Sequence, residues 1–172
     1  MNGMASSHVC ILRSVAVVAA TVASQAWADD RLAFDVVGAV TPSCALASAR
    51  LGIDLGAVTF AELGSVGAGS AWRGGSFVGV DCVGATRASV TVRARPYAPD
   101  PRYLASSGGA DGVAIQLRTG AGEAVLPDGS VPVAFAWGEG EARLAFEARY
   151  VRVGPLRAGE ASASAVIEIT WE

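Results

Sequence analysis

The sequence predicts an all-β sandwich, and two observations carry that prediction. Short alternating segments recur about every ten residues, separated by glycine, proline and Asp-Gly turn signals, a spacing typical of β-sandwiches. No stretch after residue 28 keeps the 3.6-residue period of an amphipathic helix. A chain of 172 residues is about one domain long, so we expect the strands to share one core.

Segments with alternating apolar residues predict the strands in the middle of the chain: 51–60, 76–82, 88–95, 112–119, 131–137 and 142–153. Asp111-Gly112 and Asp128-Gly129 are turn signals, and the second lies between residues 123–127 and 131–137, which predicts a hairpin there. Pro132 favours an edge strand or a bulge. The glycine-rich region 64–79 and the segment 95–109 are expected to be long loops.

The last segment shows the strictest alternation, over residues 161–171. Small and apolar residues occupy the odd positions, while the even positions are mostly polar. A period of two over this length predicts a strand with one buried face. The residues of that face are Ala161, Ala163, Ala165, Ile167, Ile169 and Trp171.

A second alternating segment, "RLAFDVVGAVTPSC", occupies residues 31–44, near the start of the chain. One of its faces carries Leu32, Phe34, Val36, Gly38 and Val40. The pattern alone fits two interpretations equally well: the first strand of a self-contained sandwich, or an arm that completes the sheet of another molecule.

The first 28 residues have the features of a secretory signal peptide. One arginine precedes the apolar run "SVAVVAATVA", and Ala26 and Ala28 suit cleavage after residue 28. Cys10 would be removed with this peptide, which leaves Cys44 and Cys82 in an exported chain. The oxidising environment outside the cytoplasm predicts a disulfide between them.

The composition argues against several classes of function. The net charge is −3, so nucleic acid is not an expected ligand. His8 is the only histidine, it belongs to the predicted signal peptide, and the chain contains no lysine. A catalytic triad with histidine or a metal site with histidine ligands is therefore not expected, and we predict that the protein is not an enzyme and holds neither metal nor cofactor.

Two groups of side chains could nevertheless bind a ligand. Asp100, Asp111 and Asp128 could form a calcium site or a glycosidase-like site, although their spacing matches no metal-binding loop and favours solvated turns. Four aromatic residues near predicted loops could form a sugar-binding platform or could anchor those loops: Trp72, Tyr97, Tyr103 and Trp137.

The order of several short motifs resembles the subunits of chaperone-usher fimbriae, in particular the type 1 fimbrial major and minor pilin family. The arm and first cysteine read "FDVVGAVTPSC", and the second cysteine ends "FVGVDC". They are followed by "GVAIQLRT", "AVLPDG", "FEARYVRVG" and "AGEASASAVIEITWE". The resemblance extends over nearly all of the chain after the predicted signal peptide.

This resemblance implies an incomplete immunoglobulin-like sandwich, the pilin fold, with an N-terminal donor-strand arm. It divides the chain into a signal peptide (1–28), an arm (29–43) and a sandwich domain (44–172). The domain lacks its last strand, which leaves a groove beside the C-terminal strand that the arm of another subunit fills. The odd residues of 161–171 would line this groove, and Leu32, Phe34, Val36, Gly38 and Val40 would enter it.

The function implied is that of a structural subunit of a surface fimbria, polymerised by donor-strand exchange and serving cell adhesion or biofilm formation. Its implied partners are further copies or sibling subunits, a periplasmic chaperone and an outer-membrane usher. The alternative is a self-complete secreted β-sandwich that recognises carbohydrate through the loop aromatic residues.

Overall fold

The computed structural model describes residues 34–138 and 140–172. The predicted signal peptide and Leu32 lie outside the described residues. Residues 34–38 and the residues from Ala39 onward belong to two separate units. Within the first, residues 34–38 belong to no strand, and the side chains of Phe34 and Val36 are 86% and 84% exposed. The second unit holds all the strands described below.

The described residues form eight strands in two antiparallel sheets. The strands are β1 (Ser43–Leu46), β2 (Arg73–Val83), β3 (Arg87–Ala94), β4 (Leu104–Ala105), β5 (Asp111–Thr119), β6 (Val133–Ala136), β7 (Ala142–Arg157) and β8 (Ala165–Trp171). The larger sheet has the order β1-β2-β7-β5-β4, and the smaller has the order β6-β3-β8. The predicted all-β sandwich is confirmed. No helix in the described part of the chain is long and apolar enough to cross a membrane.

The larger sheet is built around β7, which pairs with β2 on one side and β5 on the other. Alternate residues of β7 point into the core because side chains of a strand turn to opposite faces. Leu144 and Phe146 are 0% and 2% exposed and share a core cluster with Phe77 of β2, while Ile115 of β5 is buried in a second cluster. The alternating segment 142–153 therefore belongs to the central strand of the larger sheet, and its inward side chains form the middle of the core.

The smaller sheet covers this core through β3. Ala88, Val90 and Val92 are almost completely buried. Phe135 of β6 meets Phe146 edge to face, with ring centroids 5.3 Å apart, so aromatic packing joins the two sheets. β6 is an edge strand, and Pro132 lies just before it, where no ladder hydrogen bond is lost.

Cys44 of β1 and Cys82 of β2 form the predicted disulfide. A bulge lies beside it, because Ser43 pairs with Val83 whereas Ala45 pairs with Val80. Asp81 occupies the bulge with a φ of 52°, a conformation that aspartate tolerates better than most residues. The disulfide thus fastens the first strand to the sheet at an irregular point.

The hairpin predicted at Asp128-Gly129 is wrong. Residues 123–127 do not form a strand with β6; instead, the N–H of Val125 donates to the carbonyl of Leu117, and the N–H of Ala94 donates to the carbonyl of Pro127. The segment crosses from one sheet to the other, and the Asp128 carboxylate accepts hydrogen bonds from Ser130 within a local turn. Asp-Gly specifies a tight turn but not the strands that it connects.

Three predicted boundaries also differ from the structure. β2 begins at Arg73, so the expected loop 64–79 ends earlier than predicted. Asp111-Gly112 is part of β5, where Gly112 has a φ of 75° and the pairing with β7 shifts register. A Cβ at Gly112 would clash with the carbonyl oxygen of Pro155, so this glycine permits a bulge and close backbone approach instead of a turn. Within the expected loop 95–109, Leu104 and Ala105 form β4.

Candidate functional site: an open groove beside the last strand

A groove of about 760 Å³ opens between β8 and the chain segment that follows β1. Its floor consists of apolar side chains from both sheets, namely Phe77, Val92, Leu104, Ile115, Leu117, Phe146 and Ala148. Most of these floor side chains are themselves buried, so the apolar surface that remains open to solvent belongs mainly to the two rims of the groove, which favours a partner that covers the rims.

The first rim of the groove is residues 161–171. Ala161, Ala163, Ala165, Ile167 and Ile169 all line the groove. Trp171 is not part of the lining; it packs edge to face against Trp137, with ring centroids 5.9 Å apart. The strand assignment starts at Ala165, and Ser162 forms an isolated bridge with Ser107. Along its other edge β8 has no neighbouring strand among the described residues.

The second rim is the segment 47–58. Leu51, Ile53 and Leu55 are half-buried and line the groove, while Gly52 and Asp54 are exposed, so the predicted alternation is present. The predicted strand 51–60 does not form, because among the described residues the backbone of 48–58 makes no hydrogen bond with another backbone segment. Its N–H groups bond locally: Arg50 to the Ser48 hydroxyl (3.2 Å) and Gly56 to the Asp54 carboxylate (2.9 Å). A β-strand needs ladder hydrogen bonds to a neighbouring strand, and the segment 51–60 has no such neighbour among the described residues.

The two rims run in opposite directions along the groove. Leu46, at the start of the second rim, packs in the same cluster as Ile169. At the other end, Leu55 packs in the same cluster as Ala163 and Tyr150. Two apolar edges with free backbone groups therefore face one space, which is the arrangement that an added strand could complete.

Tyr150 marks one end of the groove. Its hydroxyl donates a hydrogen bond of 3.0 Å to the carbonyl oxygen of Ala161. Burial and the nearby Asp54 carboxylate raise the pKa of the Tyr150 phenol. Beyond Tyr150 lies a smaller pocket of about 180 Å³ lined by Phe60, Leu63 and Leu156, among others. The sequence does not distinguish Tyr150 as a groove residue, because its alternation with charged residues indicates only an inward-facing strand position.

Only two charged residues are among those that line the groove, Arg50 and Asp54, and both belong to the second rim. Within the described residues neither forms an ion pair. On the first rim, Glu168 faces outward and pairs with Arg93 at 3.3 Å. The groove thus has an apolar floor, and its charged lining residues, Arg50 and Asp54, both lie along the second rim.

The arm residues predicted to enter such a groove are exposed. Phe34, Val36 and Val40 are almost completely exposed. Among the described residues nothing lies within 4 Å of where a Cβ would stand on Gly38. Apolar residues in water at alternate positions are costly unless something covers them.

The side chains considered for other sites are not gathered in one place. Trp72 is contacted by Arg118 and Arg149, whose guanidinium carbons lie 3.9 and 4.4 Å from its ring centroid. Trp137 contacts Trp171, whereas the N–H of Tyr97 donates a backbone hydrogen bond to the carbonyl of Tyr103 across one loop. These contacts anchor loops and do not form a platform.

The three aspartates also have separate local partners. Asp100 forms an ion pair with Arg102 at 2.7 Å, which lowers the pKa of the carboxyl. Asp111 pairs with Arg157. The hydroxyl and N–H of Ser130 lower the pKa of Asp128. Over residues 34–138 and 140–172 no group of three potential metal ligands is found.

Comparisons with known proteins agree with this architecture. The model of the "fimbrial protein" family matches residues 33–172. Protein LpfE of Salmonella typhimurium is 40% identical over 97 residues, which make up 54% of this chain and 55% of that protein. The chain thus spans about half the length of this curated relative.

Two solved structures show the same fold. The crystal structure of the CupB6 tip adhesin from Pseudomonas aeruginosa is 27% identical with a TM-score of 0.60, covering 67% of this chain and 35% of the adhesin. The crystal structure of the P pilus rod subunit PapA is 24% identical with a TM-score of 0.63, covering 75% of this chain and 99% of PapA.

Proposed function

The chain belongs to the fimbrial protein family, the proteins of surface fimbriae, and from that premise we propose that it is a structural subunit polymerised by donor-strand exchange. Residues 29–43 of one copy, or of a sibling subunit, fill the groove of the next. The resulting fibre serves cell adhesion or biofilm formation, and the protein is not an enzyme.

The open groove carries this proposal. Among the described residues its two rims leave unpaired backbone groups on both sides of an apolar floor, so one added strand would bond to both rims and bury their half-exposed apolar side chains. The arm has a matching pattern: Leu32 to Val40 is an alternating segment of nine residues, about 26 Å when extended. The small side chains Ala161, Ala163 and Ala165 leave room for the larger side chains of an inserted strand.

The energy available is sufficient for a stable junction. Leu32, Phe34, Val36 and Val40 each gain about 1.5–3 kcal/mol on full burial, or roughly 6–12 kcal/mol together, before the cost of ordering the arm. Main-chain hydrogen bonds add to this, and they do not depend on which sibling subunit supplies the strand.

The open groove also accounts for the route of export that we propose. An uncovered strand edge beside an apolar cavity promotes aggregation. After the signal peptide is cleaved following Ala28, a periplasmic chaperone would cover the groove. At the outer-membrane usher, the arm of the next subunit would then replace the chaperone. The resemblance to chaperone-usher subunits supports both partners.

The test uses the mature chain (residues 29–172) and a labelled peptide of residues 29–40, DDRLAFDVVGAV. The chain is refolded with excess peptide, and capture is measured by size-exclusion chromatography. We expect a one-to-one complex, and we expect fibres or aggregates when no peptide is present. A stable monomer that ignores the peptide would falsify strand exchange.

Gly38 supplies the matched control. A Gly38→Leu peptide should not be captured, because we propose that the groove is too shallow for a side chain at this position. The Gly38→Leu chain should still capture the wild-type peptide, since we propose that the arm lies outside the core of its own subunit. If Gly38→Leu instead abolishes folding of the chain, the arm belongs to the core of its own subunit.

A further inference from the structure

The charged edge of the groove matches the charges of the arm. Arg50 and Asp54 are four residues apart on the outward face of the second rim, and both are exposed. In the arm, Arg31 and Asp35 are also four residues apart, on the face opposite Phe34 and Val36. In extended chains this spacing is about 13 Å in both segments.

We infer that Arg50 pairs with Asp35 of an incoming copy and that this pair helps to set the register of the inserted strand. The inference rests on the proposed function, in which residues 29–43 of a second copy occupy the groove. Both side chains face outward when the apolar faces point inward, so the pairing agrees with burial of Phe34 and Val36.

Alternation alone leaves the register ambiguous, so the Asp35–Arg50 pair would act together with the shallow position that we propose for Gly38. A slip of one residue turns the apolar face of the arm to solvent and is excluded. A slip of two residues keeps that face inward but moves Asp35 about 7 Å along the rim. Opposite charges that face each other across neighbouring strands are favoured and like charges are disfavoured, so the pair separates these two registers.

Arg50 is the cation available for this role. Across the groove, the outward Glu168 is engaged by Arg93, and it would repel Asp35. The Asp35–Arg50 pair is possible whether the strand runs parallel or antiparallel to the second rim. In the antiparallel case the same register also places Arg31 opposite Asp54.

The test is a competition between two peptides on the full mature chain. Wild-type peptide 29–40 and its Asp35→Arg variant, with different mass labels, are refolded in equal amounts with the chain, and mass spectrometry of the complex gives the captured ratio. On the wild-type chain we expect the wild-type peptide to be favoured about two- to fivefold, as for an exposed ion pair. On an Arg50→Asp chain the preference should invert.

Two controls separate local pairing from overall charge. An Asp30→Arg peptide has the same net charge as the Asp35→Arg peptide, and its ratio to wild type should be equal on both chains. Arg87→Asp changes the net charge of the chain as Arg50→Asp does, but Arg87 is not among the residues that line the groove, so the ratio should stay as on the wild-type chain. Capture without inversion overturns the inference and leaves the proposed function standing; no capture of any peptide overturns both.

Discussion

β3 and β8 are neighbours in one sheet, yet their inward faces differ in how well they are covered. Val90 pairs with Ile169 and Val92 pairs with Ile167, so corresponding residues lie at the same level of the sandwich. Val90 and Val92 are 0% and 1% exposed, whereas Ile167 and Ile169 are only partly buried. β3 lies between two strands, while β8 has one neighbour and the open groove on its other side. Alternation therefore tells which face turns inward but not whether that face is covered.

The largest effect is expected where the closed core meets the groove rim. The disulfide Cys44–Cys82 closes a loop with a sequence separation of 38, and it fastens the chain just before the second rim. The loop-entropy estimate for this separation is about 4 kcal/mol. The double variant Cys44→Ser and Cys82→Ser should lose about that much free energy of unfolding in urea and should capture the arm peptide less well. A loss below about 1 kcal/mol would mean that other contacts hold β1.

The next effect tests the closed side alone. Leu144 is completely buried and is not among the residues that line the groove. Leu144→Ala should lower the free energy of unfolding by about 3 kcal/mol, from lost burial and the cavity left behind. Val131→Ala, at a position that is 50% exposed, is the matched control and should change stability by less than about 0.5 kcal/mol. Equal losses for both variants would contradict the distinction between core and surface.

Ile167→Ala tests the open side, and its effect depends on whether the groove is filled. With no strand inserted, the side chain is already partly in solvent, so removal should cost about 1 kcal/mol. With the arm peptide bound, the same side chain is covered, and we expect about tenfold weaker peptide binding, measured by fluorescence anisotropy. Val166→Ala, which lies on the other face of β8 and is 65% exposed, should leave binding unchanged. Equal peptide affinity for Ile167→Ala and wild type would mean that the arm peptide does not bind against Ile167.

The smallest effect concerns the end of the groove. Tyr150→Phe removes one hydrogen bond to Ala161 and should cost about 1 kcal/mol. Because the folded pKa of Tyr150 is raised, the folded chain keeps the proton longer than the unfolded chain. Its contribution is complete below the usual tyrosine pKa of about 10 and is lost as the pH rises above it. Urea unfolding across this pH range should show that the free energy of unfolding falls more steeply with rising pH for wild type than for Tyr150→Phe. Tyr103→Phe is the control. Parallel curves for wild type and Tyr150→Phe would mean that Tyr150 does not cause the decline.

Much of the strand pattern was predictable because it is local. The segments 88–95, 112–119 and 142–153 became β3, β5 and β7 since their apolar residues already alternated. The disulfide was predictable because two cysteines remain after the predicted signal peptide. The hairpin at Asp128-Gly129 was not predictable in this way, because the same dipeptide serves a crossing between sheets. The groove floor was missed for a related reason: Ile115 and Leu117 come from β5 and Phe146 from β7, and nothing in their spacing indicates that they line one groove.

By itself, the sequence determined which residues alternate, and hence the faces of β3, β7 and β8 and of the rim 47–58. It also determined the charges of that rim and of the arm. Tertiary structure alone decided that the rim 47–58 and β8 stand on either side of an unfilled space, so that an alternating segment remains without the hydrogen bonds of a strand. The physical reason is that alternation is a property of neighbouring residues, whereas a ladder and a covered face need a second segment, and the order of strands in the sheets sets where that segment is missing.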